Sequence, residues 1–162
     1  MIRPSSIVVA TLFCGAALAA DAAPEVAYPA GYRDWHHVKS MVIGPGHGLY
    51  DAFDGIHHLY ANAEAKKGYA AGKFPDGAVI VFDLLDAKVA NGATEEGARK
   101  VVGVMRKDAA RYAATGGGWG FEGFKGDSRT DRAVTQANAA TACFGCHEAQ
   151  RGTDYVFSRA RP

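Results

Sequence analysis

The sequence predicts an α+β domain that is mainly an antiparallel β-sheet with a few helices. Three observations support this class. The valine-rich segment Ala78–Leu85 has the composition and length of a strand. Turn signals rich in Gly, Pro and Asn separate such segments at short intervals along the chain. The segment 131–147 is rich in Ala, Thr and Gln, which predicts a helix towards the C-terminus.

The first half of the chain combines predicted strands, turns and one helix. Tyr32–Ile43 is a mixed segment, and the Gly-Pro-Gly that begins Gly44–Gly48 predicts a turn. Ile56–Tyr60 carries β-prone residues and predicts a strand. Ala61–Gly72 is rich in Ala and Lys and predicts a helix that ends at its glycine.

The second half is predicted to be mostly strands and turns before its final helix. Its elements in order are a turn at Phe74–Gly77, a strand at Ala78–Leu85, a turn at Asn91–Gly92, a segment at Arg99–Lys107, a break at Gly116–Gly118, a strand at Trp119–Phe124, a polar loop at Asp127–Arg132 and a helix at Asp131–His147. Arg99–Lys107 is the ambiguous segment. Its valine content and Gly103 favour a strand over a helix.

The composition is that of an ordinary globular domain. The chain has 162 residues, of which 48% are hydrophobic and 22% are charged, and its net charge at pH 7 is +1. These values support one folded domain and exclude an intrinsically disordered chain. Because there is no run of basic residues, the sequence gives no indication of a nucleic-acid partner.

Residues 1–22 have the layout of a secretory signal peptide. Arg3 supplies a positive charge, and the apolar stretch Ile7–Leu18 is too short to span a bilayer. Small residues follow, so cleavage is expected after Ala19 or Ala22, and an uncleaved anchor helix is the alternative. We therefore expect an exported, periplasmic protein with no membrane segment after cleavage, in which residues 23–162 form a single domain.

Cys143 and Cys146, followed directly by His147, have the spacing through which haem c is attached. The sequence has three cysteines, and Cys14 would leave with the signal peptide. On a helix, residues three and four apart share a face, so both sulfurs can bond to one porphyrin. His147 can then place an imidazole nitrogen on the iron. We expect one covalently attached haem c, with His147 as an axial ligand and the motif at the end of the C-terminal helix.

Three other interpretations of this cysteine pair compete with haem attachment. A zinc site would need further ligands, and the sequence has no second cysteine pair. A thioredoxin-like redox pair is expected near a βαβ unit. A structural disulfide would have no need of His147. The predicted export and the Cys-x-x-Cys-His motif are independent observations, and both favour haem attachment.

The chain resembles the cytochrome P460 family, which includes the β-sheet cytochromes called c′-beta. The landmarks that carry the resemblance, in order, are Tyr32-Arg33-Asp34-Trp35, Gly72-x-Phe74-Pro75-Asp76-Gly77 with the valine-rich strand after it, Gly118-Trp119-Gly120-Phe121, Cys143–His147, and Asp154-Tyr155-Val156-Phe157. The resemblance implies a largely antiparallel β fold, a homodimer and five-coordinate iron. It implies thioether bonds at Cys143 and Cys146, and His147 as the proximal ligand.

Phe82 marks a departure from part of that family. Cytochromes P460 proper carry a lysine in the strand after Pro-Asp-Gly, cross-linked to the porphyrin edge and associated with hydroxylamine oxidation. Counting from Pro75-Asp76-Gly77, Phe82 occupies that position, and Phe cannot form the bond. The resemblance therefore implies the c′-beta type, in which an apolar distal pocket binds nitric oxide or carbon monoxide. A haem oxidoreductase acting on hydroxylamine or similar small nitrogen compounds is the alternative.

A third interpretation is a six-coordinate electron-transfer cytochrome with a periplasmic redox partner. It requires a second axial ligand, for which His57 and His58 are candidates. Adjacent strand residues point to opposite faces, so one of the two histidines could approach the iron. Met105 is the candidate sulfur ligand, and Arg106 could contact a propionate or bound oxygen atoms. A structural or surface role is the alternative for each of these side chains.

Overall fold

The structure is a computed structural model, and it describes residues 25–161. Six antiparallel strands form one sheet in which each strand neighbours the next along the chain. The strands are β1 His36–Ile43, β2 Gly55–Ala61, β3 Val79–Ala90, β4 Ala93–Lys107, β5 Trp119–Lys125 and β6 Arg132–Val134. The predicted α+β class with a mainly antiparallel sheet is confirmed. The predicted signal peptide lies outside the described residues.

Short helices connect the strands or follow them. They are α1 Tyr50–Phe53, α2 Ala63–Ala71 and α3 Gly145–His147. The Asn62 side chain caps α2 by accepting a hydrogen bond from Ala65 N–H at 2.9 Å. Gly72 ends α2 with a left-handed φ of 72°, so the predicted glycine stop is confirmed. Over residues 25–161, no helix has both the length and the apolar character that membrane crossing requires.

The hairpin of β3 and β4 is longer than the sequence predicted. Asn91 and Gly92 form its turn with positive φ angles of 51° and 77°, which Asn-Gly accommodates readily. The hydrophobic pattern had marked only Ala78–Leu85 and Arg99–Lys107. Residues 86–96 are exposed, so they carry no apolar alternation that a sequence pattern could reveal.

The two faces of the sheet carry separate apolar clusters. We call them the Phe121 face and the Phe124 face, after residues of β5. The cluster on the Phe121 face contains Val38, Ala61, Ala65, Phe74, Ala78, Ile80, Trp119, Phe121, Ala139 and Val156. The cluster on the Phe124 face contains Val26, Tyr32, Val81, Val102, Val104, Tyr112 and Phe124. The segment with the cysteine pair packs on the Phe121 face through Cys143, Phe144 and Tyr155.

The predicted helix at Asp131–His147 is wrong over its first half. Arg132–Val134 is strand β6, which pairs with β5. A tertiary contact favours the strand over a helix, because the Arg132 guanidinium forms an ion pair with the fully buried Glu122 carboxylate at 3.1 Å. Helical structure begins with a π-helical turn at Ala140–Phe144 and continues through α3 and a 3₁₀ segment at Glu148–Thr153. The expected cysteine motif therefore lies inside a helical segment near the C-terminus.

Candidate functional site

The two cysteines of the motif lie on consecutive helical turns and are not bonded to each other. Cys143 is half-buried against the cluster on the Phe121 face, and Cys146 is exposed. Burial, followed by the neighbouring Cys146, raises the pKa of Cys143 to about 11. A redox-active cysteine pair requires the opposite shift, since its nucleophile is a thiolate. The raised pKa of Cys143 therefore argues against a redox-active thiolate at that position.

Of the two His147 ring nitrogens, only Nδ1 has a hydrogen-bond partner in the part of the chain that the structure describes. This nitrogen lies 2.7 Å from the carbonyl oxygen of Tyr155. A carbonyl can only accept, so Nδ1 carries the proton and Nε2 keeps its lone pair. Burial lowers the pKa of His147, and the hydrogen bond to Tyr155 opposes that shift. The imidazole is thus neutral and oriented, which is the form that binds a transition metal.

Two phenylalanine rings contact the His147 ring. The Phe121 centroid lies 5.0 Å from the imidazole centroid, and the Phe157 centroid lies 4.9 Å from it at an interplanar angle of 78°. The Phe157 side chain remains 56% exposed. The sequence did not identify Phe157 as a site residue, although its place in an apolar Tyr-Val-Phe run signalled packing.

The turn that supplies the Tyr155 carbonyl is strained. Asp154 and Tyr155 adopt left-handed φ angles of 53° and 66°. Each such residue costs about 1–3 kcal/mol and persists only where its surroundings impose the conformation. The Asp154 carboxylate accepts hydrogen bonds from Phe74 N–H at 2.8 Å and from Lys107 Nζ at 2.7 Å. Sequence reasoning missed Asp154 and Lys107 as site residues, because their contacts join positions far apart in the chain.

The predicted break at Gly116–Gly118 also belongs to the site. All three glycines have positive φ. A Cβ at Gly116 would lie 2.7 Å from the Phe144 ring, and a Cβ at Gly117 would overlap the Tyr155 ring. These glycines therefore form a floor on which Phe144, from inside the cysteine motif, and Tyr155 both rest.

Phe82 lies on the same face of the sheet as His147. Met105 pairs with Phe121 and with Ile80, and strand alternation puts Phe82 on the face of Ile80. The Phe82 ring packs against Phe53 of α1, with centroids 5.6 Å apart. Its partner on β4 is Gly103, which in turn pairs with Gly123. A Cβ at Gly103 would lie 3.5 Å from the Phe82 ring, so that ring packs directly on the glycine. Phe82 therefore adds an aromatic surface to this face of the sheet.

These features test whether the residues present suit a haem. The motif offers two free thiols and a neutral imidazole with a bare Nε2. Apolar and aromatic side chains lie on the same face. A zinc site is not supported, because no three His, Cys, Asp or Glu side chains within residues 25–161 are grouped as metal ligands. The residues fit a haem.

Comparison with protein families gives the same answer. The sequence profile described as Cytochrome P460 matches residues 29–158, which is most of the chain. The chain belongs to the cytochrome P460 family. Membership makes it a c-type cytochrome, a protein that binds haem c and its iron. No individual curated protein sequence matches the chain.

His57 and His58 are the candidates from the sequence for a second axial ligand of the iron, and the structure places them on opposite faces of the sheet. His57 lies on the face of His147, is only 4% exposed, and contacts the Phe82 ring at a centroid distance of 4.7 Å. Desolvation, followed by the charges of His58 and His47, lowers the pKa of His57 to about 4. Its Nδ1 is buried without a hydrogen-bond partner among the described residues.

His58 points to the Phe124 face, away from the cysteine motif. Its two ring nitrogens each lie 2.6 Å from a partner, Ser40 Oγ and Glu96 Oε1. Met105 packs in the cluster on the Phe121 face, whereas Arg106 lines a cleft of about 330 Å³ on the opposite face. Of the six predicted site residues, the structure thus brings Phe82, His57 and the three motif residues to one face and leaves His58 on the other.

Proposed function

We propose that this cytochrome carries one covalently attached haem c and binds nitric oxide or a related small nitrogen oxide at a five-coordinate iron. Cys143 and Cys146 would form the thioether bonds, and His147 would be the axial ligand. When bound, the haem supplies a redox-active iron with one position open to a small ligand. The chain supplies the two sulfurs for attachment, the axial nitrogen of His147 and an apolar surface of aromatic side chains.

The observation that carries this proposal is the hydrogen bond from His147 Nδ1–H to the Tyr155 carbonyl. It fixes the tautomer in which Nε2 is unprotonated, and it raises the basicity of that nitrogen. The arrangement is the one that a permanent iron ligand requires.

The aromatic surface on the same face supports a small, nearly apolar ligand. Phe82 is half-buried against Phe53. Pocket polarity and steric access decide what an open iron binds, and such a surface offers no ionic contact to a large polar substrate. Phe82 also lacks the nitrogen with which a lysine could bond to a porphyrin edge. Ligand binding is therefore favoured over hydroxylamine oxidation.

An absorption spectrum of the purified holoprotein tests this function. We expect a high-spin spectrum for the reduced protein and a large shift of the Soret band on addition of nitric oxide or carbon monoxide. A strongly red-shifted Soret band before any addition would instead reveal a porphyrin cross-link and support hydroxylamine oxidation. A spectrum without haem c would end the proposal.

His57 favours a second candidate, a six-coordinate cytochrome that passes electrons to a periplasmic partner. Its imidazole is neutral at physiological pH, because burial lowers the pKa to about 4, and its Nδ1 has no partner among the described residues. A neutral imidazole can bind iron. This candidate predicts a low-spin reduced spectrum that carbon monoxide leaves unchanged, and it predicts that His57→Leu converts that spectrum to high spin.

The proposed compartment is the periplasm, where the protein is expected to act as a homodimer. The predicted signal peptide supports export, and covalent attachment prevents haem loss outside the cytoplasm. Mass spectrometry of periplasmic protein should find a mature chain that begins at Ala20 or Ala23, while sedimentation should give twice the mass of one chain. An uncleaved chain in the membrane fraction would contradict export.

A further inference from the structure

We propose that Asp154 is the positioning residue that sets the orientation of the His147 imidazole. This inference rests on the proposed function, in which His147 binds the haem iron. Within residues 25–161, the His147 ring makes one hydrogen bond, from Nδ1–H to the carbonyl of Tyr155 at 2.7 Å. The direction of that carbonyl depends on the backbone of the Asp154–Tyr155 turn.

Asp154 ties this turn to three separate parts of the fold. Its Oδ2 accepts from Phe74 N–H at 2.8 Å, and its Oδ1 accepts from Lys107 Nζ at 2.7 Å. Its own carbonyl accepts from Trp119 Nε1 at 2.8 Å. The Asp154 and Lys107 side chains are 11% and 9% exposed, so solvent screens this ion pair little. One residue therefore joins the loop before β3, the end of β4 and the start of β5.

The backbone of the turn needs such anchoring. Asp154 has a φ of 53° and Tyr155 has a φ of 66°, and neither residue is glycine. Asp tolerates the left-handed region through its short polar side chain, but a bulky aromatic residue such as Tyr rarely occupies it. Without the Asp154 contacts, Tyr155 is expected to relax towards negative φ and turn its carbonyl away from His147.

Strand β5 also supports the His147 imidazole, through Trp119 and Phe121. Trp119 Nε1–H donates to the Asp154 carbonyl. Phe121, two residues further along β5, contacts the His147 ring, and the two ring centroids are 5.0 Å apart. The Lys107 ammonium also lies over the Trp119 ring, 5.1 Å from its centroid. The pair of Lys107 and Asp154 thus fixes the turn and the strand relative to each other, and His147 lies between them.

The chemical consequence follows from the hydrogen bond. A carbonyl acceptor raises the basicity of the coordinating imidazole and strengthens its donation to the metal. Loss of Asp154 should weaken the iron–histidine bond while leaving the two thioether bonds in place. The oxidised iron gains most from imidazole donation, so its loss should raise the reduction potential.

The test compares Asp154→Ala, Asp154→Asn and Lys107→Met holoproteins with the unmodified chain. For Asp154→Ala we expect a lower iron–histidine stretching frequency by resonance Raman. We also expect a midpoint potential about 59 mV higher, a tenfold change in the one-electron equilibrium. Asp154→Asn retains one acceptor, and Lys107→Met leaves the Asp154 hydrogen bonds to Phe74 and Trp119 in place, so both should shift in the same direction by less. Haem content by pyridine haemochrome should stay unchanged.

Asp83→Asn is the matched control. Asp83 is also a buried carboxylate, 2% exposed, but it pairs with Arg99 and Tyr32 on the Phe124 face. The Asp83→Asn variant should have a lower thermal midpoint, with the iron–histidine stretching frequency and the midpoint potential unchanged. If Asp154→Ala lowered the thermal midpoint and left both readouts at their original values, Asp154 would be merely structural and the inference would be wrong. If the unmodified protein lacked histidine-ligated haem c, the proposed function itself would fail.

Discussion

The two sides of the proposed haem site are built in contrasting ways. On the histidine side, His147 is hydrogen-bonded to the Tyr155 carbonyl, and the preceding residue, Asp154, is hydrogen-bonded to Phe74, Lys107 and Trp119. On the side of Phe82, the neighbours are the rings of Phe53 and His57, and the His57 Nδ1 has no hydrogen-bond partner within residues 25–161. One side is fixed by polar contacts, and the other is apolar.

This contrast indicates a division of work. An axial ligand that must stay in place benefits from a rigid series of hydrogen bonds. A position that accepts and releases a small ligand benefits from an apolar wall that makes no bond of its own. The four predictions below test that division, in order of decreasing expected effect.

The largest effect is expected from the double variant Cys143→Ala, Cys146→Ala. Without either sulfur, no thioether can form, so acid-acetone extraction should remove all the haem from the protein. Pyridine haemochrome assays before and after extraction measure this loss. Each single variant serves as a control and should keep haem through the remaining sulfur. A double variant that retained haem after extraction would show that the motif is not the attachment site.

The next effect distinguishes the two faces through their histidines. His147→Gly should abolish the histidine-ligated spectrum of the holoprotein, and added imidazole should restore it by filling the space. His58→Gly is the matched control, because His58 lies on the Phe124 face with Ser40 and Glu96. Its spectrum should be unchanged. Equal spectral changes in the two variants would contradict the assignment of His147 as the ligand.

Two phenylalanines sharpen the contrast further. Phe124→Ala should lower the free energy of unfolding by about 3–5 kcal/mol, because Phe124 is fully buried. Phe82→Ala should cost less, about 2 kcal/mol, because Phe82 is only half-buried. Urea unfolding measures both changes. By flash photolysis, only Phe82→Ala should alter the rate of carbon monoxide rebinding, and an equal change in Phe124→Ala would contradict the proposed wall.

The smallest effect concerns His57 and pH. Burial lowers its pKa in the folded protein to about 4 from 6.5, so the unfolded chain takes up a proton first as the pH falls. His57 therefore leaves stability intact above pH 6.5 and removes up to about 3 kcal/mol as the pH falls to about 4. Urea unfolding at pH 7 and pH 5 should show a smaller loss in His57→Leu. Identical losses in both proteins would contradict its burial as a neutral imidazole.

The strands and the cysteine motif were predictable because their signals are local. Valine density marked β3 and β4, and Asn91-Gly92 marked their turn. The segment 131–139 was mispredicted as helix because its Ala and Thr content favours one. In the structure, pairing with β5 and the ion pair between Arg132 and Glu122 hold Arg132–Val134 as a strand. Tertiary contacts override local propensity in this way.

The support of His147 was beyond the reach of sequence reasoning for the same physical reason. Asp154 meets Phe74 and Lys107, which lie 80 and 47 residues away in the chain. Composition and spacing report neighbours along the chain and say nothing of such contacts. The left-handed angles of Asp154 and Tyr155 likewise carry no glycine to signal them.

The central claim is that His147 is a fixed ligand and that the opposite position on the iron is open. Resonance Raman spectroscopy of the reduced holoprotein tests it most directly. The account predicts high-spin, five-coordinate marker bands together with one iron–histidine stretching band. Low-spin, six-coordinate marker bands in the reduced protein without added ligand would contradict it.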